Sequence, residues 1–196
     1  THKNTSWDAA KFEVRAHKYA DISDGGYGVS LINDCKYGHD IHDGLMQLSL
    51  LKCGIHPSKR SDHGKHSFTY SVCPHASTLA NCDTVEKAYF INYPMTAVKA
   101  SADVSTLPTS FSAVSVDKCN VVCETVKEAE DSLDTVVRLY ESKNIRTKAT
   151  VSVGFEASEC YLCDLLENEL ERLELIDGKV CVDVKGFEIV NLKFKK

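Results

Sequence analysis

The chain has 196 residues, 43% of them hydrophobic, and a formal net charge of −5. That is enough apolar material for one or two packed domains, and an acidic balance without a basic tract argues against a nucleic-acid partner. No apolar run approaches the roughly 18 residues of a membrane-spanning helix.

From the N-terminus, Thr1-His2-Lys3-Asn4 has neither an initiator Met nor an apolar leader, so the chain reads as cut from something longer. "KFEVRAHKYADI" (11–22) alternates, with Phe12, Val14, Ala16 and then Lys18 on one face. Ser23-Asp24-Gly25-Gly26 follows as a turn. In "GGYGVSLINDCKYGHD" (25–40) the apolar run Val29–Ile32 stops at Asn33-Asp34, as in a strand that delivers polar groups to a rim. After an Asp43-Gly44 turn, "MQLSLL" sets Met46, Leu48 and Leu50 on one face. A polar loop with Pro57 runs from Gly54 to Gly64, and "SFTYSV" then sets Phe68, Tyr70 and Val72 on one face. Period-two alternation marks half-buried strands, and strands recurring about every ten to fifteen residues between turns predict an all-β sandwich.

Residues 99–110, "KASADVSTLPTS", have a linker composition. Beyond them "SAVSVDKCNVVCETVK", "TVVRLYE", "KATVSVGF", "GKVCVDV" and "FEIVNLKF" predict a second, smaller β unit, with turns at Asn144, Gly154, Asp177-Gly178 and Gly186. One segment resists: "CYLCDLLENELERLEL" (160–175) has apolar residues at helical spacing and a Glu/Leu content that suits a helix.

The nine cysteines are scattered and odd in number, which suits free thiols in a reducing cytoplasm better than a disulfide framework. Cys160-Tyr-Leu-Cys163 with Cys119 and Cys123 could be imagined around a zinc, but residues three apart in a strand point to opposite faces. His39, His42, His56, His63, His66 and His75 cluster in sequence and read as solvated turn residues. No nucleophile elbow, zincin, Walker or dinucleotide motif is present. Glu167, Glu169, Glu171 and Glu174 read as a solvated face.

Five blocks taken together are specific: "NTSWDAAKFEV" (4–14), "HKYADISDGGYGVSLINDCKYGHD" (17–40), "LSLLK" (48–52), "DHGKHSFTYSVCPH" (62–75) and "VVRLYES" (136–142). In order along the chain they resemble the C-terminal region of glycoside hydrolase family 38 α-mannosidases, in the cytosolic and vacuolar branch. The resemblance implies an all-β fold. Residues 1–100 would be the end of a galactose-mutarotase-like β-supersandwich, 101–109 a linker, and 110–196 a small C-terminal β-sandwich. It also implies a strand at 160–165 and leaves 166–174 open.

The implied activity is retaining hydrolysis of α-mannosides, in oligomannose catabolism in the cytoplasm. The implied partners are an upstream catalytic domain of the same chain and the α-mannoside, and family members often assemble as homo-oligomers. That upstream α/β barrel would hold zinc, or another divalent metal, through Asp and His side chains. It would also supply the Asp nucleophile and the Asp acid/base, which retaining enzymes set about 5–5.5 Å apart. None of these groups, and no metal, is expected in the chain itself.

Loops of the β region would instead wall the sugar site, with the Asn33–Asp40 turn at that wall. Lys52 stands where relatives usually carry an arginine that reaches toward substrate; lysine keeps the charge without the bidentate fork. Asp34, Tyr37 and Asp62 are the further substrate-binding candidates. The competing readings are a free-standing carbohydrate-binding β module, which would display aromatic side chains, and a purely structural β module. Trp7, the single Trp, sits inside the "SWD" block and reads as packed rather than displayed.

Alkylation of the unfolded, unreduced protein should add nine labels by mass. An intact disulfide in anaerobically prepared protein would overturn the free-thiol reading.

Overall fold

The structure, a computed structural model, describes residues 12–99 and 108–196. Trp7 with residues 4–11 of the first motif, and residues 101–107 of the expected linker, lie outside the described residues. The chain divides into two compact units, residues 1–99 and 100–196.

In the first unit the alternation expected across 11–22 is interrupted. Two short strands, β1 (Val14–Arg15) and β2 (Tyr19–Ser23), flank Lys18, whose φ of 68° breaks the extended run. β2 turns back into β3 (Tyr27–Asn33) through a loop in which Asp24 Oδ1 accepts from the Gly26 and Tyr27 amides at 3.2 and 3.1 Å. β4 (Gly38–His42) and β5 (Leu45–Leu48) join through Asp43-Gly44, both at positive φ (47° and 77°), the two-residue turn that matches strand twist. β6 (Tyr70–Ala76) closes the set. The strands form two three-stranded sheets, ordered β1-β4-β5 and β2-β3-β6. Pro74 is tolerated because β6 is an edge strand.

The β2-β3-β6 sheet places its polar side chains where a helix covers them. Register pairs Asp21 with Ser30 and Ser30 with Cys73 on one face, and Ile22 with Val29 and Leu31 with Val72 on the other. Helix α1 (Thr84–Asn92), which the alternation pattern did not reveal, lies on the polar face and buries Val85 and Ala88 there. It stops one residue before Tyr93-Pro94, as the restriction on a residue preceding proline requires. On the apolar face Ala20 and Leu31 are buried, but its edge is open: Tyr70 and Val72 are 53% and 61% exposed, contrary to the half-buried reading of that strand. A concavity of about 400 Å³ on this side is lined by Ile22, Tyr27, Val29, Leu31, Met46 and Val72.

The second unit is a sandwich. Its strands are β7 (Val114–Val116), β8 (Val121–Glu128), β9 (Thr135–Glu141), β10 (Thr147–Val153), β11 (Glu159–Cys163), β12 (Glu169–Leu173), β13 (Leu175–Ile176), β14 (Lys179–Val184) and β15 (Ile189–Lys195). A four-stranded sheet, β13-β14-β10-β7, sends Val151, Val180, Val182 and Val184 into a core shared with Val137, Leu139, Leu192 and Phe194 of the five-stranded sheet β12-β11-β15-β9-β8. Residues 160–175 are not helical. β11 and β12 pair as a hairpin, and the chain then crosses at Glu174 into the other sheet as β13. The hairpin turn is set by Asp164, whose Oδ1 accepts from the Leu166 and Asn168 amides at 2.8 and 2.9 Å, and by Glu167 at φ 67°. Leu165, Leu166 and Leu170, which gave the helical spacing, are exposed.

Cys160 lies in the sandwich core and Cys163, also buried, points to the other face of β11. Burial, with the neighbouring Cys163, pushes the Cys160 thiol up to about 12. Neither sulfur is disposed toward a shared metal.

Glu141, at the end of β9, is fully buried. Its Oε1 accepts from Asn120 Nδ2 at 2.8 Å and the Lys143 amide at 2.9 Å, and its Oε2 from the Phe187 amide at 3.0 Å. Burial pushes the carboxyl up, but these donors and the Ile145 amide outweigh it and hold the group below its ordinary value. A lowered folded-state value means stability that is fully present above the unfolded carboxyl's pKa of about 4.3 and is lost as pH falls through the folded value. Glu141→Leu should cost about 3 kcal/mol or more at pH 7, because buried amides are left unpaired. Urea denaturation should show that deficit shrinking below about pH 4; equal stability of the two proteins at pH 7 would refute the role.

Candidate functional site

The four residues singled out in sequence lie in the first unit, on the segments that follow β3 and β5. Lys52 lies beyond β5, with its side chain 71% exposed. Its ammonium pairs with Glu13 Oε2, and Glu13 Oε1 accepts from the Ser49 hydroxyl. The Lys52 ammonium first, and then the Ser49 hydroxyl, hold the Glu13 carboxyl below its ordinary value. Ser49 is itself fixed to the start of β4, its amide donating to Gly38 O at 2.8 Å. Lys52 therefore belongs to a three-residue polar group spanning the chain before β1 and the chain after β5.

Asp34 and Asp62 act on backbone. Asp34 Oδ2 accepts from the Thr69 amide at 2.9 Å while the Asp34 amide donates to Thr69 O at 3.2 Å, carrying the β3–β6 pairing one step past the strand. The Cys35 thiol and then the Thr69 amide hold the Asp34 carboxyl low. Asp62, at φ 59°, takes the Cys53 amide on Oδ2 at 3.1 Å, so it pins the residue next to Lys52. Tyr37 is half-exposed and stacks on His17 with ring centroids 4.4 Å apart. Lys36 Nζ lies 4.9 Å above the Phe68 ring. Lys52 and Tyr37 thus display side chains, whereas Asp34 and Asp62 shape the loops that carry them. Glu13 escaped the sequence reading as a site residue; in "KFEV" it lies between Phe12 and Val14, and neither neighbour marks it as a site residue.

Two of the six clustered histidines are not solvated turn residues. His39 is fully buried in β4, with Nδ1–H donating to Tyr37 O at 3.2 Å. His75 Nε2 lies 2.7 Å from Asp21 Oδ2, with both side chains less than a tenth exposed. The same Asp21 oxygen accepts from Ser30 Oγ at 2.6 Å, and Ser30 Oγ is 2.5 Å from Thr84 Oγ1. A Cβ on Gly28 would sit 2.3 Å from His75 Cε1, so the pair needs glycine there. Among the described residues no three His, Cys, Asp or Glu side chains are grouped to hold a metal ion. No helix among the described residues is long and apolar enough to cross a membrane.

The comparisons agree along the chain. The model of the glycosyl hydrolases family 38 C-terminal domain matches residues 1–60, and that of the family 38 C-terminal beta sandwich domain matches residues 120–192. Alpha-mannosidase 2C1 of Homo sapiens is 38% identical over 197 residues, covering 98% of this chain and 19% of that protein. An alpha-mannosidase of Saccharomyces cerevisiae is 37% identical over 186 residues, covering 92% of this chain and 17% of its own length. The chain thus spans about a fifth of the length of these curated relatives. The crystal structure of an alpha-mannosidase from Enterococcus faecalis V583 superposes with a TM-score of 0.76 at 19% identity, over 93% of this chain and 21% of that one; at that identity the likeness shows the fold. Two family 38 matches in order, on the two units already separated by their own cores, and relatives aligned across nearly all residues leave one assignment: the chain belongs to glycoside hydrolase family 38, as its C-terminal region.

Proposed function

We propose that the chain is the C-terminal β region of a retaining α-mannosidase that degrades oligomannosides in the cytoplasm, and that its rim forms part of the wall of the sugar site. The observation that carries this is the alignment of alpha-mannosidase 2C1 over 98% of the chain while the chain accounts for 19% of that protein. In this reading the nucleophile, the acid/base and the zinc belong to an upstream domain of the same polypeptide. The open apolar face of the β2-β3-β6 sheet supports such a neighbour, since a sheet face of this kind is stable against another layer.

The chain's own contribution is binding and orientation. The Lys52 ammonium has three donors, and Glu13 engages one of them, so two remain for sugar hydroxyls. Glu13 and Ser49 fix where that ammonium sits. Orienting groups lower the barrier by holding the substrate in its reactive placement.

The test is steady-state kinetics on the full-length polypeptide with an α-mannoside. Lys52→Ala should lower kcat/KM by about ten- to a hundredfold while the protein remains folded, and Lys52→Arg should retain most activity. Wild-type kinetics in the alanine variant would remove Lys52 from the sugar site.

A further inference from the structure

Helix α1 is tied at both ends to the same strand. At its first turn Thr84 Oγ1 meets Ser30 Oγ at 2.5 Å; at its last residue Asn92 Nδ2 donates to Asn33 O at 2.9 Å and to its own helix at Ala88 O, also 2.9 Å. The lengths match. Eight helical steps from Thr84 to Asn92 rise about 12 Å, and three strand steps from Ser30 to Asn33 rise about 10 Å. The helix therefore lies along β3 as a splint, and its far end is at the residue where β3 gives way to the turn that leads to the rim.

Asn33 is held from every side that its backbone offers. Its amide donates to Lys18 O at 2.9 Å, its carbonyl accepts from Asn92, and its buried side chain accepts the Lys36 amide on Oδ1 at 3.0 Å. Lys18 is held by the same helix: its Nζ lies 4.8 Å from the Tyr89 ring centroid and 5.5 Å from that of Tyr93. These two rings stack on each other at 5.5 Å. The C-terminal turn of α1 thus grips both backbone partners at the end of β3.

We propose that Asn92 is a positioning residue for the candidate sugar-facing rim, acting through Asn33 to set the turn over residues 33–38. The inference deepens the proposed sugar-wall reading and rests on it. Asn92's amide donates to backbone carbonyls, at Asn33 O and Ala88 O; it fixes where β3 ends, and the Asp34 latch to Thr69 and the Lys36 amide bond to Asn33 follow from that end point.

Two measurements on the full-length polypeptide separate this proposal from the reading beneath it. The first is hydrogen–deuterium exchange of the Asp34 and Lys36 amides. Asn92→Ala should speed both by about tenfold or more, whereas Glu141→Gln, a change in the other unit, should leave them alone. The second is a double-mutant cycle in kcat/KM between Asn92→Ala and Lys52→Ala. Asn92→Ala alone should cost about tenfold, and the pair should cost less than the product of the two single losses, because both act on one rim. A residue with a merely structural role would give independent losses. Asn92→Asp, isosteric but without the donor, serves if the alanine variant does not fold.

Unchanged exchange overturns the splint. Faster exchange with wild-type kinetics, while Lys52→Ala is impaired, overturns the positioning role and leaves the sugar-wall reading intact. Wild-type kinetics in both variants overturns both.

Discussion

The architecture of the first unit depends on one buried polar chain, Asp21 with His75 and Ser30, and Ser30 with Thr84. Each of these groups, buried without a partner, would cost about 1–3 kcal/mol. Asp21, Ser30 and His75 lie on one face of the sheet and Thr84 comes from the helix, so the helix that completes the chain covers that face. That face is mixed rather than wholly polar, since fully buried Ile32, two residues on from Ser30, shares it. Ile22, Val29, Leu31 and Val72 are consequently left on the open side, around the concavity that Met46 of β5 also lines. Gly28 is part of the same constraint, because any side chain there would collide with the His75 ring.

The second unit solves its own packing. Both sheets turn valines and leucines inward, and β14 alternates buried and exposed residue by residue. Its buried carboxylate, Glu141, joins the end of β9 to the segments at Lys143 and Phe187 through backbone amides. Glu167 does related work at the opposite turns: it accepts from the Glu130 amide at 2.8 Å and pairs with Lys127 at 2.6 Å, tying the β8–β9 turn to the β11–β12 turn. These carboxylates are latches between hairpins. Cys160 packs in the core of the same unit, where burial and the neighbouring Cys163 push its thiol up.

Legibility in the sequence followed physical range. Hairpins with an Asp-Gly turn and a two-residue period were readable because their signal is local, as at Asp43-Gly44 and Asp177-Gly178. The helix over residues 84–92 was not, because its apolar residues form no clear stripe; it is held by polar contacts to Ser30 and Asn33 that no periodicity encodes. At 160–175 the leucine spacing suggested a helix, and the Asp164 side chain overrode it by closing a tight turn. His39 and His75 looked like solvated loop residues because their partners, Tyr37 O and Asp21, lie at a strand junction and on a distant strand. Lys52 was singled out through the family resemblance. Its partner Glu13 was not, since the two are 39 residues apart.

That pairing bears on the proposed role of Lys52, at a position where the family resemblance implies arginine. An arginine fork would engage a carboxylate through two fixed donors and stay planar against it. Lysine's ammonium holds Glu13 through one donor and is otherwise open to solvent. Exposed ion pairs are weak, so in the proposed role the ammonium would lose little by turning partly toward a sugar hydroxyl. Glu13 is anchored by Ser49 as well, and the carboxylate therefore stays in place when the lysine turns. The rim combines a fixed anion with a cation free to swing about it. In the proposed role such a pair would tolerate hydroxyls in more than one position, where a bidentate arginine would select a single one.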